Sequence, residues 1–246
     1  MSTREFLVRH FSRMGARVLV HESRAAQQVK VRIDVARDRS GEFFDIRCQQ
    51  EVAPEILDVQ ARLRHLVLMV RDGADRNKFL LGHDERHWFA AAVPGDNVHD
   101  VQTAIASLRP TEIEGQTAIR QGEWFFVPDF TLSTRGAVIH RNEPLSRGAG
   151  SKPHLCREMI RRGGETVWVC PQYPAGLSFV EYRALADANK RVNNYPWRRM
   201  TREAQVWVRG DVRHSDHKTI TLDGWHRVYM NRERFARHAP QIAFLD

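Results

Sequence analysis

Apolar and polar residues alternate in short runs along most of this chain, and turn-forming residues separate the runs. Val29-Lys30-Val31-Arg32-Ile33-Asp34-Val35 alternates strictly, which predicts a strand with one apolar and one charged face. Ala16 to Val20 and Phe43 to Cys48 read as flanking strands, and the polar stretches Glu22 to Gln28 and Arg37 to Gly41 separate them. Together these predict an antiparallel meander. Leu66-Val67-Leu68-Met69-Val70 is a buried-strand run inside Leu63 to Val70. Lys78 to Leu81 and Arg86 to Val93 follow it, with Asp72-Gly73 as a turn signal. Helical spacing is rarer. Phe6, Leu7, His10 and Phe11 predict a helix over Glu5 to Met14, stopped by Gly15. Asn97 reads as the N-cap of a second helix that carries Val98, Val101, Ile105 and Leu108 on one face and ends at Pro110.

The same pattern resumes after a short polar stretch, Thr111 to Gly115. Ile119 to Pro128 predicts a turn and a buried strand, Glu165 to Cys170 a strand, and Ser178-Phe179-Val180-Glu181 a capped helix running to about Arg191. Ala204 to Val212, Lys218 to Leu222 and Trp225 to Met230 predict a closing meander. Residues 131–153 read as a long loop. The expected fold is α+β and strand-rich, with mainly antiparallel sheets and a few short helices. The expected domains are an N-terminal α+β domain, 1–112, and a C-terminal β-rich domain, 113–246.

Composition is that of a globular chain able to build a core: 246 residues, 42% hydrophobic and 28% charged. No apolar run is long enough to span a bilayer, and the N-terminal segment lacks a secretory apolar stretch. Three cysteines, Cys48, Cys156 and Cys170, are too few and too odd in number for a disulfide scaffold. They point to a reducing, cytoplasmic setting. Net charge is +8, and with lysine only at 30, 78, 152, 190 and 218, arginine carries most of it. Guanidinium groups match phosphate and stack on bases, which suits DNA or RNA.

Candidate chemistry gathers in the second half. His154-Leu155-Cys156 and His214-Ser215-Asp216-His217 each hold two nitrogen or sulfur donors at close spacing. In an extended segment, residues two apart share a face. The ends of a four-residue turn come within about 7 Å of each other. Brought together, His154, Cys156, His214 and His217 are a ligand set suited to zinc rather than to magnesium or calcium. Four ligands close a site, so hydrolysis by an activated water needs one of them, Cys156, to stay off the metal. Asp216 or Glu158 is then the candidate base. The competing reading is of solvated turn histidines beside a buried cysteine. His226, alternating with Val228 and Met230, reads as a satisfied core histidine. Gly82 to Trp88 reads as a charged turn leading into a strand. Arg157, Arg161, Arg162, Arg198, Arg199 and Lys218 are candidate contacts for nucleic acid, Arg198 and Arg199 because Tyr195 and Trp197 lie among them. No phosphate-binding loop, nucleophile elbow or dinucleotide fingerprint is present.

Three motifs in the C-terminal half, roughly Ala118 to Glu233, resemble a group of small bacterial and phage-encoded proteins. That group carries Arg-Gln-Gly-Asp before an apolar strand, a Gly-His-x-His segment, and a His-x-x-His turn followed by a strand and a basic hairpin. The matching residues are Arg120-Gln121-Gly122-Glu123, His154-Leu155-Cys156 and His214-Ser215-Asp216-His217. Glu123 replaces the aspartate, and Cys156 replaces the second histidine. The resemblance implies a shared fold and a shared site and supplies no reaction. The functional expectation is a zinc-type protein acting on nucleic acid or a nucleotide, as a phosphodiester hydrolase. The alternative is a non-enzymatic nucleic-acid-binding or accessory protein of a phage, mobile element or defence system.

Overall fold

The computed structural model describes residues 2–23, 31–49, 52–84, 86–147 and 152–235. They form two units. One runs through Arg109 and takes back Arg232–Phe235, and the other spans Pro110–Asn231. The architecture is α+β and strand-rich, as the alternation predicts.

In the first unit, α1 (Thr3–Arg13) starts at Ser2, which forms a reciprocal capping box with Glu5, and it buries Leu7 and Phe11. The strands β1 (Val18–Ser23), β2 (Val31–Asp38) and β3 (Gly41–Gln49) follow, but not as a meander. Their order is β1-β3-β2, with β2 and β3 an antiparallel hairpin and β1 parallel to β3. Alternation reads the same in either direction, so sequence could not separate these pairings. The second sheet is a true meander of β4 (Ala53–Gln60), β5 (His65–Asp72), β6 (Asp75–His83) and β7 (Trp88–Val93). β4 was not anticipated. It contains Pro54, which is tolerated because β4 is an edge strand. Leu7, Phe11, Phe44, Ile46, Leu66, Leu68 and Leu81 form one core. Alternate residues of β5 and β6, Val67 and Leu80, pack in a second core with Val101, Ala104 and Leu108 of α2 (Val101–Ser107) and its flank. Asp100, rather than Asn97, caps α2, its carboxylate accepting from the Thr103 N–H at 2.7 Å. The charged turn before β7 is structural: His87 Nδ1 lies 2.6 Å from Glu42 Oε1, and Glu42 Oε2 accepts from the Trp88 N–H.

The second unit holds a six-stranded antiparallel sheet. Its strands are β8 (Ile119–Gln121), β9 (Trp124–Pro128), β10 (His140–Leu145), β11 (His154–Arg162), β15 (Gln205–Arg213) and β16 (Ile220–Met230), in the order β10-β11-β15-β16-β9-β8. β10 falls inside the stretch read as a long loop. It lacks alternation and becomes a strand by pairing with β11 at the sheet edge, where Pro144 does no harm. Residues 148–151 of that stretch lie outside the described residues. The two closing strands anticipated near residues 218–230 are one strand. Its register jumps from Leu222↔Gly210 to His226↔Val208, so residues 223–225 bulge out. Trp124, Phe126, Leu145, Met159, Val206, Val208, Val212, Leu222 and Val228 form the core on one face. A small sheet of β12 (Glu165–Cys170), β13 (Tyr173–Leu177) and β14 (Arg198–Arg202), order β13-β12-β14, completes the unit with α3 (Phe179–Ala188). The Ser178–Glu181 capping box is present, and α3 stops three residues short of Arg191. Among the described residues no helix is long and apolar enough to cross a membrane.

Candidate metal centre

Antiparallel pairing of β11 with β15 sets Leu155 opposite Arg213, so the start of β11 lies beside the end of β15. His154 is the first residue of β11, and His214 follows the last residue of β15. His217 lies in the turn that leads into β16. One ring nitrogen from each of these three histidines falls within 4.8 Å of the others, a group that could hold a metal ion. The His154 and His214 rings stack at 4.2 Å between centroids, and those of His214 and His217 at 4.8 Å. The turn between β8 and β9 closes against the same place. Gln121 Nε2 donates to the Lys218 carbonyl at 2.6 Å, and Arg120 Nε donates to the Gly122 carbonyl at 2.9 Å.

His154 is the unusual member. It is buried, and neither Nδ1 nor Nε2 has a hydrogen-bond partner among the described residues. An imidazole withdrawn from water with both nitrogens unsatisfied is costly, and such groups call for an explanation, an unseen ion among them. Burial, reinforced by the neighbouring His214 and His217, pushes its pKa down to about 3. Burial also lowers the pKa of His214. Both rings are therefore held neutral, the form that ligates metal. His214 differs in having partners: Nδ1 accepts from the Asp216 N–H at 3.1 Å, and the Lys152 carbonyl accepts from the ring. It must exchange one of these contacts to take up an ion.

Cys156 does not join the group. It shares the buried face with His154, but two strand residues advance about 7 Å, more than a thiol can reach back across. Its sulfur sits in the apolar core, donating weakly to the His154 carbonyl at 3.8 Å, and burial drives its pKa up to about 12. An inert thiol is the outcome, and three histidines stand where four ligands were expected. Asp216 lies at the cluster. Its carboxylate pairs with Lys152 Nζ at 2.7 Å. Although burial works to raise its pKa, the bonds from Lys152 and Ser215 lower it. Glu158 is placed elsewhere. The strand irregularity between Cys156 and Glu158 changes the facing of the following residues, and Glu158 takes the Arg209 guanidinium at 2.5 Å.

No known protein family matches this chain, and no curated protein or solved structure does. The chemistry therefore rests on the residues themselves. His154, His214 and His217, with Asp216 beside them, are a donor group that could hold a metal ion. Of the arginines singled out for nucleic acid, Arg161 is committed to Glu143 at 2.6 Å and to the Pro144 carbonyl, and so holds β10 against β11. Arg162 reaches the Ser133 carbonyl and lies over Trp207. Arg157, Arg198, Arg199 and Lys218 are exposed. His226 is buried with Nδ1 3.1 Å from the Gly224 carbonyl, as a core histidine should be. Gln121 and Gly122 were not singled out individually by sequence reasoning. Their only signal was membership of the Arg-Gln-Gly-Glu motif.

Proposed function

We propose that the second unit carries a zinc-type centre held by His154, His214 and His217, and that the protein uses it to hydrolyse phosphodiester bonds in nucleic acid or a nucleotide. The observation that carries this reading is the buried, partnerless His154 ring beside two further imidazoles. A divalent ion there would supply Lewis acidity and lower the pKa of a bound water. Asp216 is the carboxylate placed to accept the proton, with Lys152 holding it in position. The likeness of Arg120–Glu123 and His214–His217 to motifs of small phage and bacterial proteins supports a common site. The net charge of +8 supports a polyanionic partner.

A second reading, nucleic-acid binding without chemistry, draws on the small sheet. Trp168 stacks on Tyr182 at 5.7 Å and Tyr173 on Trp197 at 5.6 Å, with Arg198 and Arg199 exposed on the adjoining β14. Half-exposed rings beside guanidinium groups are what single-stranded nucleic acid binds to.

Metal content of the purified protein, read by mass spectrometry, tests the first reading. One ion per chain in the wild type and loss of at least nine-tenths of it in His217→Ala is the expected result, and equal metal in both removes the site. Salt-dependent binding to DNA and RNA tests the second. Phosphate contacts release counterions, so affinity should fall linearly with the logarithm of salt concentration.

A further inference from the structure

The six-stranded sheet has a second face. Val206, Val208 and Val212 of β15 point into the core, so Trp207, Arg209 and Arg213 point the other way. Pairing carries that face to the neighbouring strands: Arg227 of β16 lies opposite Trp207, and Glu158 of β11 opposite Arg209. Towards β9 the face is closed, because Ile113 packs with Phe125 and Val127. Over β11, β15 and β16 it is a layer of guanidinium groups on aromatic rings. Arg162 and Arg227 both lie over Trp207, each 5.7 Å from the ring centroid, and Arg227 lies 5.1 Å from that of Tyr229. Arg209 lies 4.9 Å from the ring of Trp225, in the β16 bulge. Asp129 fixes this platform. It accepts from the Trp207 indole N–H at 2.8 Å and donates its own N–H to the Trp225 carbonyl at 2.9 Å.

Stacking takes up the flat sides of these guanidiniums and leaves their N–H edges for other partners. Glu158 neutralises Arg209 at 2.5 Å, and Asp211 accepts from Thr221 Oγ1 at 2.8 Å. Arg162 and Arg213 reach neutral oxygens, the Ser133 carbonyl and Asn142 Oδ1. Among the described residues no carboxylate pairs with either of them or with Arg227. A row of positive charge therefore runs along β15 and ends at Arg213, the residue before His214.

We infer that this face docks single-stranded nucleic acid, with phosphates on Arg162, Arg213 and Arg227 and bases against the half-exposed rings of Trp225 and Tyr229. The inference rests on the nucleic-acid part of the function proposed above and deepens it: the strand lies on the large sheet rather than the small one, and the arginine row leads it to the histidines. Phosphate charge complements guanidiniums that are already held in place. Half-exposed rings favour a strand with free bases over a duplex, whose bases are stacked on one another.

Fluorescence anisotropy of a labelled oligothymidylate of about 15 nucleotides, titrated with the full chain over a range of salt concentrations, tests this. Each phosphate contact on a single strand contributes about 0.7 to the slope of log affinity against log salt. Arg162→Gln and Arg227→Gln should each weaken binding about fivefold and lower the slope by that amount. Arg227→Lys keeps the charge and loses the planar stack, so it should restore the slope and only part of the affinity. Trp225→Ala should weaken binding about tenfold with the slope unchanged, because stacking releases no counterions. Metal content, read on every variant, should equal that of the wild type, so the face and the metal centre fail separately. Arg162→Gln and Arg227→Gln proteins that bind as the wild type does, while Arg198→Gln/Arg199→Gln loses the strand, would overturn the inference in favour of the small sheet. A duplex of the same length bound as tightly as the single strand would also overturn it. A wild type that binds no strand overturns both the inference and the nucleic-acid function it rests on.

Discussion

At the scale of the residue, His154 sets the pH behaviour of the metal-free protein. The unfolded chain protonates this imidazole near 6.5, and the folded protein does so only near 3. Between those values the unfolded state binds the extra proton. Stability is therefore complete above pH 6.5 and declines as pH falls, by at most about 1.4 kcal/mol per pH unit for one such group. Urea unfolding in the presence of a chelator should show this decline from pH 6.5 to 4, and His154→Phe should flatten it. Cys156 gives the complementary prediction. Cys156→Ala should leave metal stoichiometry unchanged and lower stability by about 1 kcal/mol, because it removes a packed sulfur from the core and not a ligand. Loss of metal in that variant would restore the cysteine to the site. The three histidines were legible because imidazoles at tight spacing are visible as letters. The thiol's exclusion was not, since same-face placement says nothing about reach. Glu158 was misplaced by a strand irregularity that no spacing rule reveals.

At the scale of the element, the small sheet depends on α3. Ser178 Oγ accepts from the Glu181 N–H at 3.3 Å, and Glu181 Oε2 accepts from the Ser178 N–H at 2.8 Å. This box anchors the turn that carries Phe179 and Tyr182 onto Trp168. Ser178→Ala should cost about 1 kcal/mol, with Ser178→Gly losing less. Thermal unfolding followed by tryptophan fluorescence reads both. Elements with a strong local signature were legible: the Ser178-x-x-Glu181 box, the Leu66–Val70 run and the Asp72-Gly73 turn. Among the strands that escaped notice, β4, β10, β13 and β14 are edge strands, and each contains a proline or an arginine-rich run. Their conformation is imposed by the neighbour they pair with, which is a tertiary fact.

At the scale of the whole molecule, the two units have separate cores, and only the second holds the histidines. A ligand that binds the folded form alone stabilises it by mass action. Adding zinc should therefore slow hydrogen exchange in β8, β9, β11, β15 and β16 and leave β4 to β7 unchanged. Equal protection of both units, or none, would count against a centre confined to the second unit. The first unit runs to Arg109, just before the polar stretch at 111–115, and takes back Arg232–Phe235, which no local pattern in the sequence marks.

The sixty-position separation of His154 and His214 gives the cluster one more property. An ion gripped by both ends of that span would act as a reversible cross-link, trimming the freedom of the unfolded chain much as a long-range covalent bridge does. Its hold would then be a gauge of assembly. A synthetic peptide of residues 212–220 would keep two donors and lose the buried third, so it would bind the ion only feebly. Only a chain that has already brought β11 beside β15 could retain it.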